Sequence, residues 1–141
     1  MSQINFYDNK RHLIMSFSNF SILEQDIELI RFHIEISFGI FNVSTETEIY
    51  MAYLQHFSDE LKNLYDHFTE KQKAVFCPIE RDVDISFETG GNMGYISALI
   101  NLYYYDSNHE NNATLTCEYT IDQSFLPELI EEIETTLEEL R

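Results

Sequence analysis

The chain has 141 residues, 44% of them hydrophobic and 14% aromatic, which suits one folded domain over residues 1–141 and excludes an acidic disordered chain. Eight Lys and Arg stand against 25 Asp and Glu, for a formal net charge of −17. That balance excludes bare nucleic acid and anionic membranes as partners and favours a basic protein, whose approach the charge would steer.

The opening Met1-Ser2-Gln3-Ile4-Asn5-Phe6-Tyr7-Asp8 has no apolar run of signal-peptide length, so a cytoplasmic location is expected. A strand is expected around His12 to Phe17. From Leu29 to Phe38 the alternation is clean, with Ile30, Phe32, Ile34, Ile36 and Phe38 on one face, the pattern of a strand covering a core on one side. Gly39 permits a turn into a further strand, Ile40 to Thr45. Thr45-Glu46-Thr47-Glu48 then reads as a capping box opening a helix. That helix carries the stripe Tyr50, Leu54, Phe57, Leu61, Leu64 and Phe68.

The second half reads mostly as strand. Ala74-Val75-Phe76 ends at Pro78 as a short edge piece. Val83, Ile85 and Phe87 alternate with Asp82, Asp84, Ser86 and Glu88; Gly90-Gly91-Asn92 turns the chain into a long strand from Met93 to Tyr105. After a polar loop, Asp106 to Asn112, a last strand carries Ala113, Leu115, Cys117, Tyr119 and Ile121. Asp122 is placed to cap a closing helix with Pro127 in its first turn and Leu126, Ile130, Ile133, Leu137 and Leu140 as its stripe. These elements predict an α+β fold with a single antiparallel β-sheet of about six to seven strands and two α-helices packed on one face.

Chemistry is not written into these elements. His33-Ile34-Glu35 and Phe76-Cys77-Pro78 look like fragments of a zinc-deaminase signature, but the H-x-E falls in a strand and the second cysteine is missing. Nucleophile-elbow, Walker A and dinucleotide-binding patterns do not occur. The Gly-rich segment Gly90 to Gly94 joins strands and lacks a helix N-terminus that would receive phosphate. No catalytic residue, cofactor or metal is therefore expected, and Cys77 and Cys117 form no metal or redox motif.

Charge distribution is more informative. Between Asp82 and Leu140 there are 13 acids and no Lys or Arg. In the closing helix, Glu128 with Glu132 and Glu134 with Glu138 are like-charge pairs one turn apart, and Glu138 and Glu139 crowd the negative end of the helix dipole. Together these cost about 1–3 kcal/mol. Reversing Glu131, Glu134 and Glu138 to Lys is expected to leave the fold intact. A second acidic row, Asp82, Asp84 and Glu88, is expected to share an exposed sheet surface with Tyr95, Tyr103 and Tyr105. Tyrosines supply anchoring area and carboxylates meet Arg and Lys, so these nine residues are the candidate partner interface.

Phe38-Gly39-Ile40-Phe41, Phe57-Ser58-Asp59-Glu60-Leu61, Glu80-Arg81-Asp82-Val83-Asp84-Ile85, Gly94-Tyr95-Ile96 and the close Tyr119-Thr120-Ile121-Asp122-Gln123-Ser124-Phe125-Leu126 follow one another over Leu29 to Leu140. In these stretches the chain resembles the WapI-like immunity proteins of bacterial polymorphic-toxin and contact-dependent inhibition systems. The resemblance implies a cytoplasmic antidote that binds one cognate toxin, and many such toxins are nucleases with basic clefts. Two other classes compete with it: an acidic nucleic-acid mimic that binds some other basic protein, and a carboxylate-based metal binder or enzyme.

Overall fold

The computed structural model describes residues 2–78, 80, 82–89 and 94–141. Its strands are β1 (Ile4–Tyr7), β2 (Leu13–Glu24), β3 (Leu29–Phe38), β4 (Phe41–Tyr50), β5 (Lys73–Phe76), β6 (Val83–Thr89), β7 (Tyr95–Tyr105) and β8 (Asn112–Asp122). Helix α1 (Met51–Asp66) separates the first four strands from the last four, and α2 (Leu126–Leu140) follows a 3-10 turn at Gln123–Phe125. The fold is α+β as expected, but the strands form two four-stranded antiparallel sheets, β1-β2-β3-β4 and β5-β6-β7-β8, and not one sheet.

The reason lies in the phenylalanines. Phe6, Phe17 and Phe32 on the first sheet meet Phe76 and Phe87 on the second, with ring centroids 5.4–6.3 Å apart for the cross-sheet pairs. Each sheet thus supplies the apolar cover that the other requires, where a single wide sheet would need cover from helices alone. Alternation within a strand fixes which face is apolar; it does not say whether a helix or another sheet covers that face. The helices pack on each other and bridge the two sheets, α1 leaning on β5 and α2 on β1. Phe57 of α1 completes the aromatic cluster, 5.4 Å from Phe76 and 6.1 Å from Phe87.

The expected helix start at Thr45 is overturned. β4 runs in unbroken register with β3 from Phe41 opposite Phe38 to Tyr50 opposite Leu29, so Thr45 and Glu48 are strand residues. Glu48 accepts from the Arg31 guanidinium at 2.9 Å across the pair, and the Thr45 hydroxyl points at the Glu46 carbonyl. Val43, Thr45, Thr47 and Ile49 are all β-branched, and ten residues of ladder outweigh one local capping motif. Helix α1 begins at Met51, whose N–H is satisfied by the Glu28 carbonyl at 2.9 Å rather than by a side chain. The helix closes at Asp66, which leaves Phe68 outside it.

The other boundaries move less. The strand expected at His12 to Phe17 runs on to Glu24 through two register shifts, with Asn19 in the left-handed region at φ 55°. β1 was not expected at all. Ile40 lies in the turn ahead of β4 and is 89% exposed. The expected Gly90-Gly91-Asn92 turn lies outside the described residues. Asp122 caps the 3-10 turn, accepting from the Ser124 N–H at 2.9 Å, and Pro127 falls in the first turn of α2. The α2 stripe is Leu126, Leu129, Ile133 and Leu137, with Ile130 and Leu140 only partly buried.

Candidate functional site

Strand alternation in the second sheet sends Val83, Ile85, Phe87, Ile96, Ala98, Ile100 and Leu102 into the core. The opposite face therefore carries Asp84, Ser86 and Glu88 from β6, with Tyr95, Ser97, Leu99, Asn101, Tyr103 and Tyr105 from β7. β8 adds Thr114, Thr116, Glu118 and Thr120. Register sets Asp84 opposite Asn101, Glu88 opposite Ser97, Leu99 opposite Glu118 and Tyr103 opposite Thr114. Tyr95 and Tyr105 are 51% and 53% exposed, and the α1 contact lies on the inner side of this sheet, through Phe57.

Part of this face is held in place by hydrogen bonds. The Thr116 hydroxyl donates to Asn101 Oδ1 at 2.7 Å, the Asn101 amide donates to Asp84 Oδ1 at 3.0 Å, and the Tyr103 hydroxyl donates to Asp84 Oδ2 at 2.8 Å. This ladder crosses three strands. Both Asp84 oxygens are used within it, so Asp84 fixes the Tyr103 ring in one orientation. The hydrogen bond to Asp84 also pushes the Tyr103 phenol pKa upward, because ionisation would set two anions together.

Asp82 departs from the outer row. It sits in the bend ahead of β6, where its carboxylate accepts from the Thr47 hydroxyl of β4 at 2.9 Å and its carbonyl accepts from the Tyr103 N–H at 2.8 Å. It therefore stands at the rim between the sheets, beside Tyr103. Glu88 is more loosely engaged, with Lys71 Nζ at 4.0 Å.

The three helix acids lie elsewhere, because α2 packs on α1, β1 and β2. Glu131 and Glu138 are exposed. Glu134 faces the seam between the helices, where its Oε1 accepts from Lys62 at 2.6 Å, Ser58 at 2.8 Å and Gln55 at 3.2 Å. Burial would raise its pKa, but these three donors outweigh burial and hold the carboxyl below its ordinary range. The structure thus joins Asp84, Glu88, Tyr95, Tyr103 and Tyr105 on one face, places Asp82 at its rim, and sets Glu131, Glu134 and Glu138 apart.

Sequence reasoning missed Phe41 and Tyr104, which line a groove between β4 and the ends of β7 and β8. Its signal was the run Tyr103-Tyr104-Tyr105, which breaks the alternation at a strand end. Among the described residues, no three His, Cys, Asp or Glu side chains gather as a metal site requires. Cys77 is exposed, Cys117 is buried, and no disulfide joins them.

The family model for "Immunity protein WapI-like family" matches residues 6–141. The chain belongs to the WapI-like immunity protein family. The match takes in both sheets and both helices, so the outer sheet face is part of the WapI-like domain itself and not an addition to it. Neither the curated proteins nor the solved structures return a match. No helix among the described residues is long and apolar enough to cross a membrane. For a WapI-like immunity protein the bound partner is a toxin, and the surface available to meet it becomes the central question.

Proposed function

We propose that this protein is a cytoplasmic immunity protein that neutralises one cognate toxin of a polymorphic-toxin or contact-dependent inhibition system by stoichiometric binding, without turnover. The match to the immunity family over residues 6–141 carries the reading. The net charge of −17 supports a basic toxin surface, such as the substrate cleft of a nuclease domain. The outer face of the second sheet supports a place for the contact. Tyr95, Tyr103 and Tyr105 offer ring area, with Tyr103 already oriented by Asp84. Glu88 and Asp82 supply charge beside them. The exposed acids Glu131 and Glu138 extend the negative field and act on encounter more than on the docked complex.

Co-expression tests this. The toxin domain is taken from the reading frame beside this gene and expressed in a sensitive host with and without the protein. The reading expects growth to be restored and a one-to-one complex to co-purify. Absence of both rescue and complex would overturn it.

A further inference from the structure

At the ends of β4 and β8 opposite those that run into α1 and α2, the sheets part and leave an apolar groove of about 410 Å³. Val43, Leu102 and Leu115 line it, and Phe41 and Tyr104 flank it, half or more of each remaining exposed at 50% and 60%. Among the described residues Asp82 is its one carboxylate; Oδ1 takes the Thr47 hydroxyl, and no second donor among them reaches the carboxylate. No Lys or Arg lines it among the described residues.

These features select an occupant. A purely apolar side chain would fill the groove but strip water from Asp82 without returning a partner, which is unfavourable. A second copy of this chain would bring another −17 to the same place. An anion is repelled outright. A long side chain with an apolar stem and a flat cationic head satisfies every wall at once. Its stem lies on Val43, Leu102 and Leu115, its head stacks on Phe41 or Tyr104, and its N–H groups donate to Asp82. The planar fork of arginine suits both the rings and the carboxylate better than the compact ammonium of lysine.

We propose that this groove is a docking pocket for an arginine side chain of the basic partner. That the partner is a toxin rests on the function proposed above; the preference for arginine does not. Tyr103 of the outer face and Asp82 at the rim of that face both line the groove, so a partner seated there can reach it.

The pocket is tested with N-acetyl-arginine methylamide, titrated into the isotope-labelled protein and followed by amide chemical shifts. Saturable shifts at Phe41, Val43, Tyr104 and Leu115 are expected in the millimolar range, the affinity of a single side chain. Asp82→Asn, which keeps an acceptor for Thr47, and Tyr104→Ala, at an exposed ring, should each weaken binding at least about fivefold. Equal shifts with N-acetyl-leucine methylamide, unchanged binding in Asp82→Asn, or no shifts with the arginine probe would overturn the proposal. So would concentration-dependent shifts of the free protein at these residues, which would assign the groove to a second copy. The probe requires no toxin: a negative titration removes the pocket and leaves rescue by co-expression standing, and failed rescue with a positive titration does the reverse.

Discussion

Glu134 shows how little the charge of a residue says before its neighbours are known. In sequence it is one of six acids on a helix and half of a repelling pair with Glu138. In the fold it receives Lys62, Ser58 and Gln55 from the neighbouring helix, and the Ser58 hydroxyl is fully buried beneath it. Reversing Glu131, Glu134 and Glu138 together was expected to leave the fold intact; the three donors at Glu134 predict a cost in stability for that one position. Glu134→Lys should lower stability by about 1–3 kcal/mol, because it strands a buried hydroxyl and sets two ammonium groups together. Glu131→Lys with Glu138→Lys should change stability little. Denaturant titration separates the two variants. Since the Glu134 carboxyl is held below the ordinary glutamate value of 4.5, its stabilisation is present above that pH and is lost as pH falls through the lower folded value. Glu134→Gln should accordingly show a shallower loss of melting temperature on acidification.

Glu132 has the opposite sign. Burial raises its pKa, with Glu128 adding to the shift, although the Asn5 N–H donates to its carboxylate at 2.8 Å. Its contribution is greatest below the ordinary glutamate range and declines as pH rises through the folded value. Glu132→Gln keeps an acceptor for Asn5 and removes the repulsion. It should raise stability at neutral pH by roughly 0.2–0.5 kcal/mol or more, with the gain vanishing in acid. Melting curves across pH check this.

At the scale of elements, the strands β3, β6, β7 and β8 were legible because two-residue alternation needs no partner to be seen. The stripe of α1 was equally plain from Leu54 to Leu64. What was not legible is what each face meets. The stretch Ile4 to Tyr7 alternates too, but over four residues the pattern carries no weight, and only pairing with β2 makes it a strand. Thr45 to Glu48 satisfies the rule for a helix start and still continues a strand, because its cross-strand partners are far away in sequence. The protection of strand edges was also hidden. The Glu132 carboxylate of α2 occupies the Asn5 N–H on β1, and the Glu60 carboxylate of α1 accepts from the Val75 N–H on β5 at 3.1 Å. On one edge strand of each sheet a helix carboxylate thus occupies a backbone N–H and disfavours unwanted pairing there. Glu60→Ala should speed hydrogen exchange at the Val75 amide by roughly two- to tenfold, the worth of one hydrogen bond, with strands β6 and β7 unaffected.

At the scale of the whole molecule, the net charge of −17 is spread over acids with very different structural commitments, and on the proposed reading it governs the rate at which a basic partner arrives. Some of the surplus is balanced internally: Lys62 serves Glu134, Arg31 serves Glu48, and Arg11 lies 3.3 Å from Glu128. The candidate sheet face was legible in outline, since register does place Asp84 and Glu88 on the side of Tyr95, Tyr103 and Tyr105. The roles of its acids were not, because hydrogen bonding turns Asp84 into a support for Tyr103 and Asp82 toward the other sheet. Glu88 and Glu118 remain as acids of that face with the least structural commitment, and they are the ones to reverse. The most direct measurement is the association rate of Glu88→Lys/Glu118→Lys with the neighbouring toxin domain, against Glu131→Lys/Glu138→Lys as control, over a range of salt. The sheet variant should associate at least about tenfold more slowly at low salt, with the gap closing as salt is added, and should dissociate faster; the helix variant should lose only part of its rate. Equal rates and equal salt dependence for the sheet variant and the unaltered protein would contradict the account, and would move the contact away from this face.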